Sequence, residues 1–114
     1  MKFEEGAVVF LCGNKGVGKT TVLAYLAHGF YKQKVEVYSN CEIKGSWFFN
    51  VNQFGKVKFP EHSVIMIDES AIEFNSRNYA KFNIAITRFI KKCRHHHNML
   101  IFASQTYNDD AYTF

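Results

Sequence analysis

Four short apolar runs punctuate the chain. They are residues 7–12 (AVVFLC), 35–39 (VEVYS), 64–67 (VIMI) and 99–103 (MLIFA). The second alternates between apolar and polar; the other three do not. Short unbroken apolar runs predict strands covered on both faces, as in a parallel sheet. Between the runs the period changes to that of a helix. Across residues 20–32, Leu23, Leu26, Ala27 and Phe30 recur at spacings of three and four, and across 79–94 Phe82, Ile86, Phe89, Ile90 and Cys93 do the same. Each set makes one buried helical face. Strands alternating with helices of this length predict an open α/β sheet. Residues 40–63 follow neither period. They carry Trp47, Phe48, Phe49, Phe54, Gly55, Phe59 and Pro60, and read as a loop, or a short helix and a loop, whose aromatics belong to the core.

A length of 114 residues sets the expectation of one domain, 1–114. Apolar residues make up 47%, twelve of them Phe, which supplies a core and excludes a disordered chain. The net charge of +4 is too small to choose between a polyanion-binding surface and a solvated basic one. Cys12, Cys41 and Cys93 are far apart and form no CxxC. They predict free, mostly buried thiols in a reducing compartment rather than a metal site. No secretory signal is present, and no run approaches the ~18 apolar residues of a membrane span. A soluble, cytoplasmic chain is therefore expected.

The chemistry enters at the end of the first run. Gly13, Asn14, Lys15, Gly16, Val17, Gly18, Lys19 and Thr20 match G-x-x-x-x-G-K-[ST] at every fixed position, between a predicted strand and a predicted helix. Glycines let the backbone turn its N–H groups onto phosphate oxygens, and the following helix adds the positive end of its dipole. In this pattern Lys19 places a point charge on the β- and γ-phosphates of ATP, and the Thr20 hydroxyl coordinates Mg²⁺. Lys15 lies one position too near Lys19 to be the second lysine of partition-type ATPases, and reads as an exposed loop residue. The motif predicts a P-loop NTPase three-layer sandwich, α/β with a mostly parallel sheet and strand order about 1-4-3-2.

Asp68 and Glu69 end the third run. Carboxylates at the carboxyl end of a parallel strand face the ligand crevice. Asp68 there suits Mg²⁺ through its water shell, and Glu69 a water in line with the γ-phosphate. Ser104 and Gln105 end the fourth run. If that strand lies between the first and third, Gln105 faces the γ-phosphate. Residues 88–97 (RFIKKCRHHH) allow two readings. Arg88, Lys91, Lys92 and Arg94 form either a solvated face at a helix C-terminus, or a contact with a neighbouring subunit's γ-phosphate or with nucleic acid. His95, His96 and His97 are consecutive and cannot converge on one metal. Arg77 is a weaker arginine candidate.

Taken together, GNKGVGKTT at 13–21, FPEHSVIMIDESAIEFNSRN at 59–78 and FIKKCRHHHNMLIFASQTYNDD at 89–110 resemble the zonular occludens toxin-like assembly ATPases of filamentous phages, in the FtsK–HerA group. The resemblance implies an ATP-hydrolysing motor that packages or exports phage DNA, single-stranded, as a homo-oligomeric ring such as a hexamer. It implies partners among membrane or phage assembly proteins, and a place in the host cytoplasm or at the inner face of the membrane. Carried over by position, Lys19, Thr20 and Thr21 belong to the nucleotide set. Asp68 and Glu69 form the acidic pair, Gln105 the strand-end sensor, and Arg94 the arginine of the R-H step, acting in trans. Members of that group continue well beyond the S-Q strand. This chain stops at Phe114, which implies a fragment, a truncated remnant, or an edge of residues 7–12 covered by another subunit. Two further readings stay open on the same fold: a small-molecule kinase, and a nucleotide-binding interaction module without turnover.

Overall fold

Residues 1–12, 18–50, 56–72, 76–93 and 95–104 are described by a computed structural model of the chain, residues 76–79, 82 and 93 by their backbone alone. The elements are β1 (Val8–Cys12), α1 (Lys19–Lys32), β2 (Val37–Ser39), β3 (Trp47–Phe48), β4 (Val64–Asp68), a 3₁₀ turn (Glu69–Ala71), α2 (Ser76–Cys93) and β5 (Met99–Ser104). All strand pairs are parallel, in the order β1-β5-β4-β2-β3. The four runs read from the sequence thus take the order 1-4-3-2, with β3 added outside β2.

The unbroken apolar runs have the physical origin expected of them. Val64 and Met66 of β4, with Met99, Ile101 and Ala103 of β5, face the layer that holds Leu23, Ala27 and Phe30 of α1. Their neighbours Ile65, Ile67, Leu100 and Phe102 face Ile86 of α2. Successive strand residues point to opposite faces. With a helix on each face, both sets must be apolar. Every residue of β4 and β5 is buried. Full burial of a side chain such as Leu23 or Phe30 stabilises the fold by roughly 1.5–3 kcal/mol.

The chain travels across the sheet from β1 to β2 through α1, then returns from β4 to β5 through α2. A single hand of crossover places helices on opposite faces when the direction of travel reverses. α1 and α2 accordingly pack on opposite faces, and in sheets of this kind ligands bind at the carboxyl edge where the direction of connection reverses. Register sets the level of that edge: Cys12 pairs with Ser104, and Asp68 with Ala103.

Two expectations are corrected. Residues 40–63 contain a two-residue edge strand, and their aromatics divide. Phe49 and Phe59 enter the core on the α2 face, but Trp47 and Phe48 are 63% and 61% exposed because β3 is the edge strand of the sheet among the described residues. Phe54 lies outside the described residues. Neither of the two thiols whose side chains are described is fully buried, and the Cys93 side chain lies outside the described residues. Cys12 is exposed at the tip of edge strand β1, and Cys41 is half-buried. Among the described residues no helix is long and apolar enough to cross a membrane.

The opposite edge of the sheet is tied by polar groups. Buried Asn98 donates from Nδ2 to the Pro60 carbonyl (2.8 Å) and to Ser63 Oγ (2.9 Å), and its carbonyl accepts from Gly6 N–H (2.8 Å). His62 and His97, both at turns with positive φ, contact the two oxygens of Glu5 at 2.9 and 3.0 Å. His97 is thereby taken into a turn, while His95 and His96 are exposed.

Candidate functional site

The first half of the site is the start of α1. Gly18 sits at φ 74°, ψ 33°, in the left-handed region, and its carbonyl accepts the first helical bond from Val22 N–H at 3.0 Å. An added Cβ would meet nothing nearer than Thr21 at 3.9 Å, so glycine is required here for its backbone freedom rather than for space. That turn delivers Lys19, half-buried, as the first residue of α1, followed by Thr20 and Thr21 on the exposed first turn. Gly13, Asn14, Lys15, Gly16 and Val17 lie outside the described residues.

The second half is the tip of β4. Asp68 is 3% exposed, and a carboxylate so buried needs partners. Its Oδ1 accepts from Ser70 N–H (2.9 Å) and from Ser70 Oγ (2.7 Å), which caps the 3₁₀ turn. Its backbone is clamped by buried Asn40, just past β2. Asp68 N–H donates to Asn40 Oδ1 (2.7 Å), and Asn40 Nδ2 donates to the Asp68 carbonyl (3.1 Å). With Oδ1 and the backbone so held, Oδ2 is turned to Thr20, whose Oγ1 lies 3.4 Å away.

That separation is long for a hydroxyl–carboxylate bond. A Mg²⁺ ion held by the Thr20 hydroxyl would keep Asp68 within reach of one of the waters that this ion retains. A hydroxyl and a carboxylate are also the hard-oxygen donors that this ion prefers. The residues present therefore fit a Mg²⁺ ion carried in with a nucleotide.

Glu69 follows on the 3₁₀ turn, half-buried, and accepts a short hydrogen bond on Oε2 from Ser104 Oγ at the tip of β5. The β4 and β5 tips are thus joined beside α1. Cys41 lies near this cluster. Burial pushes its thiol up, and the Asp68 carboxylate adds to the rise against the opposing bond from Ser39 Oγ, so Cys41 is a protonated neighbour rather than a thiolate nucleophile.

The structure thus brings together Lys19, Thr20, Asp68 and Glu69 at one edge of the sheet. Gln105 and Arg94 lie outside the described residues. β5 does run between β1 and β4, the strand order on which the placement of Gln105 depends. Arg88, Lys91 and Lys92 are exposed on α2.

Sequence reasoning passed over Asn40, Ser70 and Ser104 as supports. Ser70 was findable, since Asp-x-Ser is the spacing of an aspartate-capped turn. Asn40 was not, because its partner is 28 residues away. Asn40→Ala leaves two buried backbone groups of Asp68 unpartnered and is expected to lower the unfolding free energy by ~1–3 kcal/mol. Urea titration reads this directly. Wild-type stability would show that the clamp does not form.

An all-parallel sheet with helices on both faces, its first strand leading into G-K-T-T and an acidic pair at a neighbouring strand tip, describes a nucleotide-binding domain of the NTPase class. Comparison with family models agrees at that level. The model described as Novel STAND NTPase 3 matches residues 1–109, and the chain belongs to that family. A search of curated proteins returned no match. The match supports the NTPase assignment and not the zonular occludens toxin-like group.

Proposed function

We propose that this chain binds a nucleoside triphosphate, ATP, together with Mg²⁺, and hydrolyses it. The observation that carries the reading is the approach of Thr20 Oγ1 to Asp68 Oδ2, two oxygens contributed by separate elements to one edge of the sheet. Residues 13–18 cradle the phosphates, Lys19 supplies a positive charge to the β- and γ-phosphates, and Thr21 belongs to the same nucleotide set. Thr20 and Asp68 hold Mg²⁺, directly and through its water shell respectively. When bound, the ion neutralises charge on the phosphate oxygens.

Glu69, oriented through Ser104, holds the attacking water and takes up its proton as the oxygen–phosphorus bond forms. The bond from the γ-phosphorus to the β-phosphate oxygen breaks, and ADP leaves with the freed oxygen while the γ-phosphorus departs as inorganic phosphate. Gln105 is assigned to the γ-phosphate from the tip of β5, and Arg94 to the γ-phosphate of a neighbouring copy in a ring. A finer reading, a motor for phage DNA, is supported by the sequence order F-N-x-R, R-H and S-Q alone.

The test is release of phosphate from ATP by the purified chain, with Mg²⁺ and with the metal chelated. Metal-dependent release to water is expected. Transfer of the γ-phosphate to a nucleoside would favour the kinase reading. Tight ATP binding without release would favour an interaction module.

A further inference from the structure

A groove of about 750 Å³ runs along α2, away from the nucleotide site. One wall comes from the segment before β4, with Lys56 and Lys58. The other comes from α2, with Lys81, Arg88 and Lys92. All five cations are exposed, and none forms an ion pair among the described residues. The floor between them is apolar, built from Val57, Ile84, Ala85 and the Phe59–Phe89 ring pair, whose centroids are 6.0 Å apart. No carboxylate lines the groove among the described residues. Glu61 lies in the neighbouring hollow.

A solvated helix face does not explain this pattern. Such faces interleave carboxylates with cations at spacings of three and four, which adds support. The sequence of α2, SRNYAKFNIAITRFIKKC, has no Asp or Glu at all, even in its first turn, where an acid would be stabilising. Arg88 and Lys92 stand at the like-charged i, i+4 spacing, which costs stability. The helix therefore carries repulsion that an anionic ligand would relieve. From Lys81 to Lys92 the row extends about 16 Å at the helical rise.

We propose that this groove binds single-stranded nucleic acid. Its phosphates lie against the two cation rows, and its bases meet Ile84, 54% exposed, and the half-buried Phe89. Two charged walls around an apolar floor suit a single strand, which presents anions at its edge and flat apolar faces inward. The proposal rests on the groove alone and not on the nucleotide reading.

Fluorescence anisotropy with a labelled oligothymidylate of about 15 nucleotides tests it, at the upper end of single-strand site sizes. Wild type should bind, with log K falling against log salt at a slope near −3, as roughly four or five neutralised phosphates predict. The combined variant K58E/K81E/R88E/K92E should lose at least ~100-fold in affinity and most of that slope. Exposed substitutions of this kind leave stability nearly unchanged, and the melting temperature checks it. The variant K32E/K34E, with the same sign of change at another surface, should bind as wild type does, and so should Lys19→Ala. An equal loss in K32E/K34E, no binding by wild type at low salt, or displacement of the oligonucleotide by polyglutamate at equal charge concentration would each overturn the proposal. The last result would identify an acidic protein as the ligand.

Discussion

Glu69→Gln is expected to slow phosphate release by ~10²–10⁴-fold, the range associated with a positioned proton acceptor, while ATP affinity stays at the wild-type level. Gln preserves the shape of the side chain and keeps an oxygen able to accept from Ser104 Oγ, so the link between the β4 and β5 tips survives. What disappears is the negative charge that orients and deprotonates water. The half-buried position of Glu69 on the 3₁₀ turn, next to but distinct from Asp68, separates this effect from metal binding. Single-turnover phosphate release beside a fluorescent-nucleotide titration distinguishes the two quantities. Unchanged release would remove Glu69 from the chemistry; lost affinity would make it part of the binding set instead.

Lys19→Ala is expected to weaken ATP binding by roughly 10–100-fold, equivalent to the ~1.5–3 kcal/mol of a hydrogen bond between charged groups. The substitution is mild for the fold. Lys19 opens α1, where Ala is an excellent helix former, and the packing of α1 depends on Leu23, Ala27 and Phe30. A variant that melts with wild-type cooperativity but fails to hold ATP at wild-type affinity separates charge from folding. Affinity equal to wild type would show that the glycine loop and helix terminus bind phosphate without the lysine.

Much of this was legible in the chain because the signals are local. The unbroken runs VIMI and MLIFA reported burial on two faces, and the structure puts a helix over each. The glycine–lysine motif and the Asp-Glu pair marked strand tips by their positions immediately after apolar residues. What escaped depends on contacts distant in sequence. Asn40 reads as an ordinary polar residue until β2 and β4 are adjacent, when its amide meets both backbone groups of Asp68. Ser104 was read as a neighbour of Gln105, while in the structure it is the residue that holds Glu69. Trp47 and Phe48 were assigned to the core from composition, which carries no information about which strand closes a sheet. The groove along α2 likewise takes one wall from residues 56–59, so the helix sequence alone showed only half of it. The five loop residues from Gly13 to Val17, together with Arg94 and Gln105, remain assignments from sequence.

The central claim is that Thr20 and Asp68 act on one Mg²⁺ ion delivered with the triphosphate. Its most direct test is the affinity of a fluorescent ATP analogue for wild type and for Asp68→Ala, each measured with Mg²⁺ and with the metal chelated. Mg²⁺ should tighten binding to wild type and lose most of that effect in the variant, while the two proteins bind the metal-free nucleotide alike. The same Mg²⁺ enhancement in both proteins would contradict the account.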